Sequence, residues 1–367
     1  MKVLYLANIP SPYRVDFFGE LARSCDLTVV FERQKAADRK DSWLGGENAG
    51  YTTHYLKGFS VKNETAFAPS VLRFLKKNKF DIIVIGGYAT PTAMLAILWL
   101  KLRKIPFVLN ADGGFIKPGG GFKEKIKRFF IGAAAWWICS GEATKNYFAH
   151  YGADPEKVFT YPFTSLVKAD ILTAPPTDKE KQALKKELGI AEAKAVLAVG
   201  QFIPRKGFDV LLKAWADMPE GIGLYLLGDE PSEEYLTLVR ELKLKNVHFA
   251  GFRPKADVLS FCRACDLFVL PTREDIWGLV VNEALASALP VVTTKQCLAG
   301  LTLVDDSVGR LIAAEDVPAL KTAMTEILSD GKKISAMRTS ALHRIKSYTI
   351  ENMASRHIEI FKTILGR

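Results

Sequence analysis

Two acidic residues, Asp275 and Glu283, bracket seven residues centred on a glycine turn, Ile276-Trp277-Gly278-Leu279-Val280-Val281-Asn282. A glycine turn between two acids can do two jobs. Its bare N–H groups can meet a phosphate where a helix begins. Its carboxylates can accept hydrogen bonds from vicinal hydroxyls. Upstream, Gly200-Gln201-Phe202-Ile203-Pro204-Arg205-Lys206-Gly207 leaves an apolar strand carrying two adjacent cations. Arginine offers a fork matched to phosphate oxygens and lysine a point charge. Cations for a diphosphate and acids for sugar hydroxyls together describe a nucleotide-sugar site.

The elements that must position these residues alternate between apolar strands and helices. In the first half, strands are expected at Val3–Ala7, Leu27–Phe31, Ile82–Ile85, Phe107–Asn110 and Ala134–Cys139. Helices are expected at Val15–Arg23, Ser70–Lys77, Thr92–Lys101 and Ala143–Tyr151. The second half repeats this grammar from the strand Val196–Val199 to the helix Met337–Lys346. Such alternation implies doubly wound parallel sheets, whose ligands bind beyond the carboxyl ends of the strands. The Pro- and Thr-rich stretch Thr173–Asp178 reads as a linker. The expected division is a first domain at 1–168, a second at 169–345, and a terminal helical segment at 346–367. The two sheets are expected to face one another across a cleft.

The 367 residues carry 50 Lys plus Arg against 40 Asp plus Glu, a net charge of +10, which favours acidic partners. Interleaved basic and aromatic surface motifs are lacking, so nucleic acid is not expected as a partner. The odd count of five cysteines implies no disulfide framework. Cys262 and Cys265 form a lone CxxC without a second ligand pair, which reads as buried thiols in a reducing cytosol. The apolar runs are shorter than the roughly 20 residues a spanning helix needs, so the chain is expected in the cytoplasm, soluble or peripheral on the inner membrane face. Phe122, Ile126, Phe129 and Phe130 fall at helical spacing among Lys123, Lys125, Lys127 and Arg128. Such a basic amphipathic helix, Phe122–Phe130, either lies on an anionic membrane or packs its apolar face on its own domain.

Six pieces in order carry a family resemblance. They are Gly200–Gly207, Tyr225–Asp229, Val247–Phe252, Ala264–Thr272, Asp275–Pro290 and Ser307–Leu311. This half resembles the retaining glycosyltransferases of family 4, which have the GT-B fold of two Rossmann-like domains. The first half resembles the bacterial surface-polysaccharide branch, through Ile9–Arg14 and Asp112–Phe115. The chain departs from the family in three places: Asp275 stands for a usual Glu, Gln201 for a frequent Arg, and Pro10-Ser11-Pro12-Tyr13 for a Gly-Gly turn.

The resemblance implies roles: acceptor binding for 1–168, nucleotide-sugar binding for 169–345, and for 346–367 a last helix that crosses back to the first domain. Arg205 and Lys206 would hold the donor's diphosphate and stabilise its charge as it departs. Glu283 would hold the ribose hydroxyls, and Asp275 the hydroxyls of the moving sugar, with a helix-capping role as the alternative for Asp275. Gly278, Leu279 and Val280 would present N–H groups, with Gln201 at the strand exit. Phe252 would lie near the base. Asp112 would face the donor sugar or simply make a turn before Gly113-Gly114. Tyr13, Arg14, Gly86 and Gly87 fall on the acceptor side, where Gly86-Gly87 could equally be a tight turn.

The chain contains no Asp-x-Asp, so no metal or other cofactor is expected, and the donor is a co-substrate. These implications describe a retaining, metal-independent transfer from a UDP-sugar to a lipid-linked or polysaccharide acceptor of a bacterial surface glycan. The alternatives are a nucleotide-sugar epimerase and a non-catalytic nucleotide-sugar-binding subunit.

Overall fold

A computed structural model describes residues 1–34, 50–62, 65–117 and 119–366. The chain forms two compact units, one of residues 1–164 with 349–367, the other of residues 165–348.

The first unit runs β1 (Lys2–Ala7), α1 (Pro12–Ala22), β2 (Asp26–Phe31), β3 (Thr52–Tyr55), β4 (Phe59–Lys62), β5 (Thr65–Phe67), α2 (Ser70–Lys77), β6 (Ile82–Ile85), α3 (Pro91–Leu102), β7 (Val108–Ala111), α4 (Phe122–Ile131), β8 (Trp136–Cys139), α5 (Glu142–His150) and β9 (Val158–Thr160). Seven strands make one sheet in the order β3-β2-β1-β6-β7-β8-β9, while β4 and β5 pair separately and antiparallel. Every pairing within the seven-stranded sheet is parallel. The apolar runs of β1 and β6 lie in its centre, covered on both faces. Strand order reverses between β1 and β6, the place where open sheets of this kind bind ligands.

The spacing predicts α1 from Val15, and the helix begins at Pro12. Proline is at home in a first helical turn, where its missing N–H has no partner to lose. Tyr13 and Arg14 therefore sit in the first turn of α1. The residue pattern also predicts no strand at β3, β4, β5 or β9. β3 is a largely exposed edge strand without alternation, and β9 is only three residues long.

The second unit runs α6 (Asp178–Leu188), β10 (Lys194–Val199), α7 (Phe208–Trp215), β11 (Ile222–Leu227), α8 (Glu233–Glu241), β12 (Val247–Gly251), α9 (Lys255–Ala264), β13 (Leu267–Leu270), α10 (Leu279–Ala286), β14 (Val291–Thr294), α11 (Leu298–Leu303), β15 (Gly309–Ile312), α12 (Val317–Ser329) and α13 (Gly331–Ile345). Its six parallel strands lie in the order β12-β11-β10-β13-β14-β15, with the reversal between β10 and β13. The exits of those two strands carry Gly200–Gly207 and Thr272–Asp275.

α6 opens with a reciprocal capping box between Thr177 and Glu180 and closes on left-handed Gly189. It looks polar in sequence, yet Lys181 and Lys185 are buried against Asp266, at 2.5 and 3.5 Å. The last helix, α14 (Ile350–Ile364), belongs to the first unit and packs on α1. There the His357 ring lies 4.7 Å from Phe17.

Candidate active site

The two cations sit on a single helical turn, Pro204–Lys206, that ends on Gly207. Gly207 is left-handed (φ 71°), and a Cβ there would lie 2.1 Å from the Pro271 carbonyl oxygen. Only glycine lets the turn press this closely on the exit of β13. The exit grips the turn in return. The Arg273 N–H donates to the Arg205 carbonyl at 2.8 Å, and Thr272 Oγ1 donates to the same oxygen at 2.9 Å. The Arg273 guanidinium also holds both Asp209 oxygens, at 2.8 and 2.7 Å, and reaches Glu315 and the Pro204 carbonyl. Arg205 and Lys206 thus project from a turn with little freedom to shift.

Both cations point at the acid of the neighbouring segment. Lys206 Nζ lies 2.6 Å from Asp275 Oδ2, and Arg205 Nη1 lies 3.8 Å from Asp275 Oδ1. Arg205 also donates to the Glu274 carbonyl at 2.9 Å. The Lys206 and Asp275 side chains are each nearly buried, so solvent screens their attraction little. Asp275 is fixed by its backbone: its N–H donates to the Gln296 carbonyl at 2.8 Å, and its carbonyl accepts from Leu298 N–H at 3.2 Å.

Three residues on, Gly278 adopts φ 97° and starts α10. A Cβ there would meet Cys297 Sγ at 2.8 Å, so this turn also requires glycine. Trp277 is core, its indole N–H donating to Asn282 Oδ1 at 2.8 Å. Gly278, Leu279 and Val280 occupy the helix start, where backbone N–H groups have no partner within the helix. One turn on, Glu283 is buried and accepts from Ser165 Oγ at 3.0 Å. Burial pushes its carboxyl up to about 7, an effect that the Ser165 bond and the Lys255 charge moderate. Lys255 is itself tied to the Ser165 carbonyl and to Asp170, both at 2.6 Å.

In the first unit, Arg14 and Asp112 come together as a pair. Arg14 Nη2 lies 2.5 and 2.6 Å from the two Asp112 oxygens. Tyr161 OH donates to Asp112 Oδ1 at 3.0 Å and accepts from Asn110 Nδ2 at 2.8 Å. Tyr5 OH donates to Asn110 Oδ1. Asp112, expected as a sugar-facing acid or a turn residue, is the acid of a partly buried polar network. Arg14, expected on the acceptor side, has its guanidinium buried and committed to Asp112. Tyr13 packs edge-on against Phe163 at 5.6 Å. The His357 ring lies tilted against Tyr161, with centroids 4.4 Å apart, and burial drives its pKa down to about 3.

Gly86 and Gly87 follow β6. A Cβ on Gly86 would lie 2.7 Å from the Leu6 carbonyl, whereas Gly87 (φ 117°) faces open space. Gln201 is exposed beside the cationic turn, and Phe252 is 47% exposed just past β12. α4 forms and divides its aromatics. Phe130 and Ile131 are buried, while Phe122 (78%) and Phe129 (44%) are exposed. The sequence pattern does not single out Arg273, Thr272, Ser165, Lys255, Asn110 or Tyr161 as site residues. Only Thr272 and Arg273 carried a signal, their closeness to Asp275 in the chain.

Residues 180–344 match the glycosyl transferases group 1 family, and residues 15–162 match glycosyltransferase family 4. D-inositol 3-phosphate glycosyltransferase of Corynebacterium kroppenstedtii is 30% identical over 97% of this chain and 82% of its own length. The GDP-mannose-dependent alpha-(1-6)-phosphatidylinositol monomannoside mannosyltransferase of Mycolicibacterium smegmatis is 23% identical over 90% of this chain and 88% of its own. HepE of Anabaena, solved in complex with UDP, superposes with a TM-score of 0.79 at 19% identity, over 99% of this chain and all of its own. With two parallel-sheet units and the cation–acid pairing at the second sheet's reversal, the chain belongs to the family 4 glycosyltransferases of the GT-B fold.

Proposed function

We propose that the protein moves a sugar from a UDP-sugar to a lipid-linked or polysaccharide acceptor of a bacterial surface glycan, with retention at the anomeric carbon and without a divalent metal. The observation that carries this reading is the convergence of Lys206 and Arg205 on Asp275, at 2.6 and 3.8 Å, where β10 and β13 end. Cations held on a rigid turn stabilise charge that builds on a departing diphosphate, and they need not reorganise to do so. Glu283 takes the ribose diol, for which its carboxyl must be ionised. The choice of UDP follows HepE, against the GDP-mannose named for the mycobacterial relative.

Asp112 is occupied by Arg14 and Tyr161, which makes it a fixed hydrogen-bond acceptor rather than a free nucleophile. Retention then proceeds by attack on the face the leaving group departs from. The acceptor oxygen bonds to the anomeric carbon as the carbon–oxygen bond to phosphate breaks. The acceptor's proton passes to the departing phosphate oxygen. Acceptor binding falls to the first unit, around the exits of β1 and β6.

A membrane-bound acceptor is supported by the surface at the end of α3 and along α4. Leu102 (81% exposed), Phe122 and Phe129 stand there among Lys101, Arg103, Lys104, Lys123 and Lys125. Exposed apolar side chains ringed by cations suit an anionic lipid face. Among the described residues no helix is long and apolar enough to cross a membrane.

The test combines product and vesicle assays. Proton NMR of the first-formed product should give the donor's anomeric configuration, with turnover intact in EDTA and lost in Lys206→Ala and Glu283→Ala. An inverted product would refute retention, and loss of turnover in EDTA would refute metal independence. Co-sedimentation with phosphatidylglycerol vesicles should fall in Phe122→Ser/Phe129→Ser, and unchanged binding would remove the membrane role.

A further inference from the structure

We infer that Asp275 is the residue by which this site tells an intact sugar donor from the bare nucleoside diphosphate left after transfer. The inference rests on the donor site proposed above and concerns what the acid does when no sugar is present.

The geometry sets up a competition. Asp275 Oδ2 holds Lys206 Nζ at 2.6 Å, and Oδ1 lies 3.8 Å from Arg205. These are the cations that a diphosphate needs. The acid cannot leave with its loop, because its backbone is bonded to Gln296 and Leu298 and bridged to Cys297. Nor can the cationic turn retreat, because Gly207 is pressed on Pro271 and Arg273 and Thr272 hold the Arg205 carbonyl. An incoming diphosphate must therefore take Lys206 from Asp275 or share it, with a fixed carboxylate beside it in either case. Two anions around one cation, shielded from solvent, repel strongly.

A donor offsets this penalty, since its sugar offers hydroxyls that an ionised carboxylate accepts. A bare nucleoside diphosphate brings more negative charge, on the terminal phosphate oxygen freed by transfer, and no hydroxyl for Asp275. The acid thus opposes product more than donor, which is selectivity by a repulsive element. Its effect is to speed product release and weaken product inhibition.

Calorimetric titration of UDP and UDP-glucose into the wild type, Asp275→Asn, Lys206→Ala and the double variant tests this. Asp275→Asn should bind UDP on the order of tenfold more tightly, the size of one charged hydrogen bond returned to the ligand. UDP-glucose should gain less, so the preference for donor over product falls while kcat drops. In the Lys206→Ala background, Asp275→Asn should still tighten UDP, through the repulsion between the two anions, but by a factor that differs from the wild-type one by more than about twofold, as expected if the two residues are coupled.

Weaker or unchanged UDP binding in Asp275→Asn, or an equal gain for donor and product, would overturn the inference. Asp275→Ser repeats the test should the asparagine variant fold poorly with Lys206 left unpaired. A wild type that binds none of UDP, GDP and ADP would overturn the donor site itself. Wild-type binding without the Asp275→Asn gain overturns only the role given to Asp275.

Discussion

Replacing Gly207 by alanine should damage the protein in two separable ways, and a second glycine supplies the control. Gly207 and Gly189 have nearly the same backbone, φ 71° and φ 70°. Both variants therefore incur the left-handed penalty of an L-residue, about 1 kcal/mol. They differ in surroundings. A Cβ at Gly189 meets nothing within 4 Å, whereas one at Gly207 would sit 2.1 Å from the Pro271 carbonyl oxygen. That is about 1 Å inside ordinary carbon–oxygen contact, and the obstacle is backbone, so the turn or the β13 exit must shift. Overpacking of this kind adds about 1–3 kcal/mol. At about 2–4 °C per kcal/mol for a unit of this size, Gly189→Ala should lower Tm by about 2–4 °C and Gly207→Ala by about 4–16 °C. Function separates them further. A displacement of about 1 Å in Arg205 and Lys206 is worth on the order of 100-fold in donor kcat/KM, while Gly189→Ala should leave kcat/KM within a few fold. Differential scanning fluorimetry and initial rates at subsaturating donor read both effects. A Gly207→Ala protein that melts with Gly189→Ala and keeps its kcat/KM would refute the claim that this close approach positions the cations.

Other expectations concern charge. Burial raises the Glu283 carboxyl to about 7, so nucleotide binding, which needs the carboxylate, should strengthen as pH rises through 7. The Kd of UDP should therefore fall between pH 5.5 and 8.5, and Glu283→Gln should flatten that dependence. The same shift has a stability sign. A raised acid favours the folded state below its unfolded pKa of 4.5, and that contribution is lost as pH rises to about 7. The Tm of Glu283→Gln should therefore gain on the wild type between pH 5 and 8. His357 has the opposite sign. Its folded pKa of about 3 lies below 6.5, so its contribution is present above pH 6.5 and disappears on acidification toward 3. His357→Leu should lose less stability than the wild type between pH 6.5 and 4, by up to about 1.4 kcal/mol per pH unit, and parallel acid curves would count against a buried neutral imidazole. Arg14→Met should destabilise by about 3 kcal/mol because it strands the Asp112 carboxylate, and Arg14→Met/Asp112→Asn should recover part of that in urea unfolding. No recovery would mean that the pair is not coupled.

Local order along the chain determined the parallel strands, most of their flanking helices and the positions of Arg205, Lys206, Gly278, Asp275 and Glu283. An apolar run long enough to cross a sheet, a glycine beyond it and a helical period after that are properties of neighbouring residues. They can be read without knowing what the segment packs against. Where those cues were faint, as in the exposed edge strand Thr52–Tyr55 and the three residues Val158–Thr160, the elements stayed hidden. Only the tertiary structure decided which groups meet. Ser165 bonds Glu283 from 118 residues away, and Arg14 reaches Asp112 across 98. The lysines of α6 reveal their burial only once Asp266 is beside them. Asp275 likewise read as a carboxylate ready for a sugar, and folding placed it on Lys206. Charge pairing depends on distances between segments, and those arise only when the sheet brings separate strand exits together.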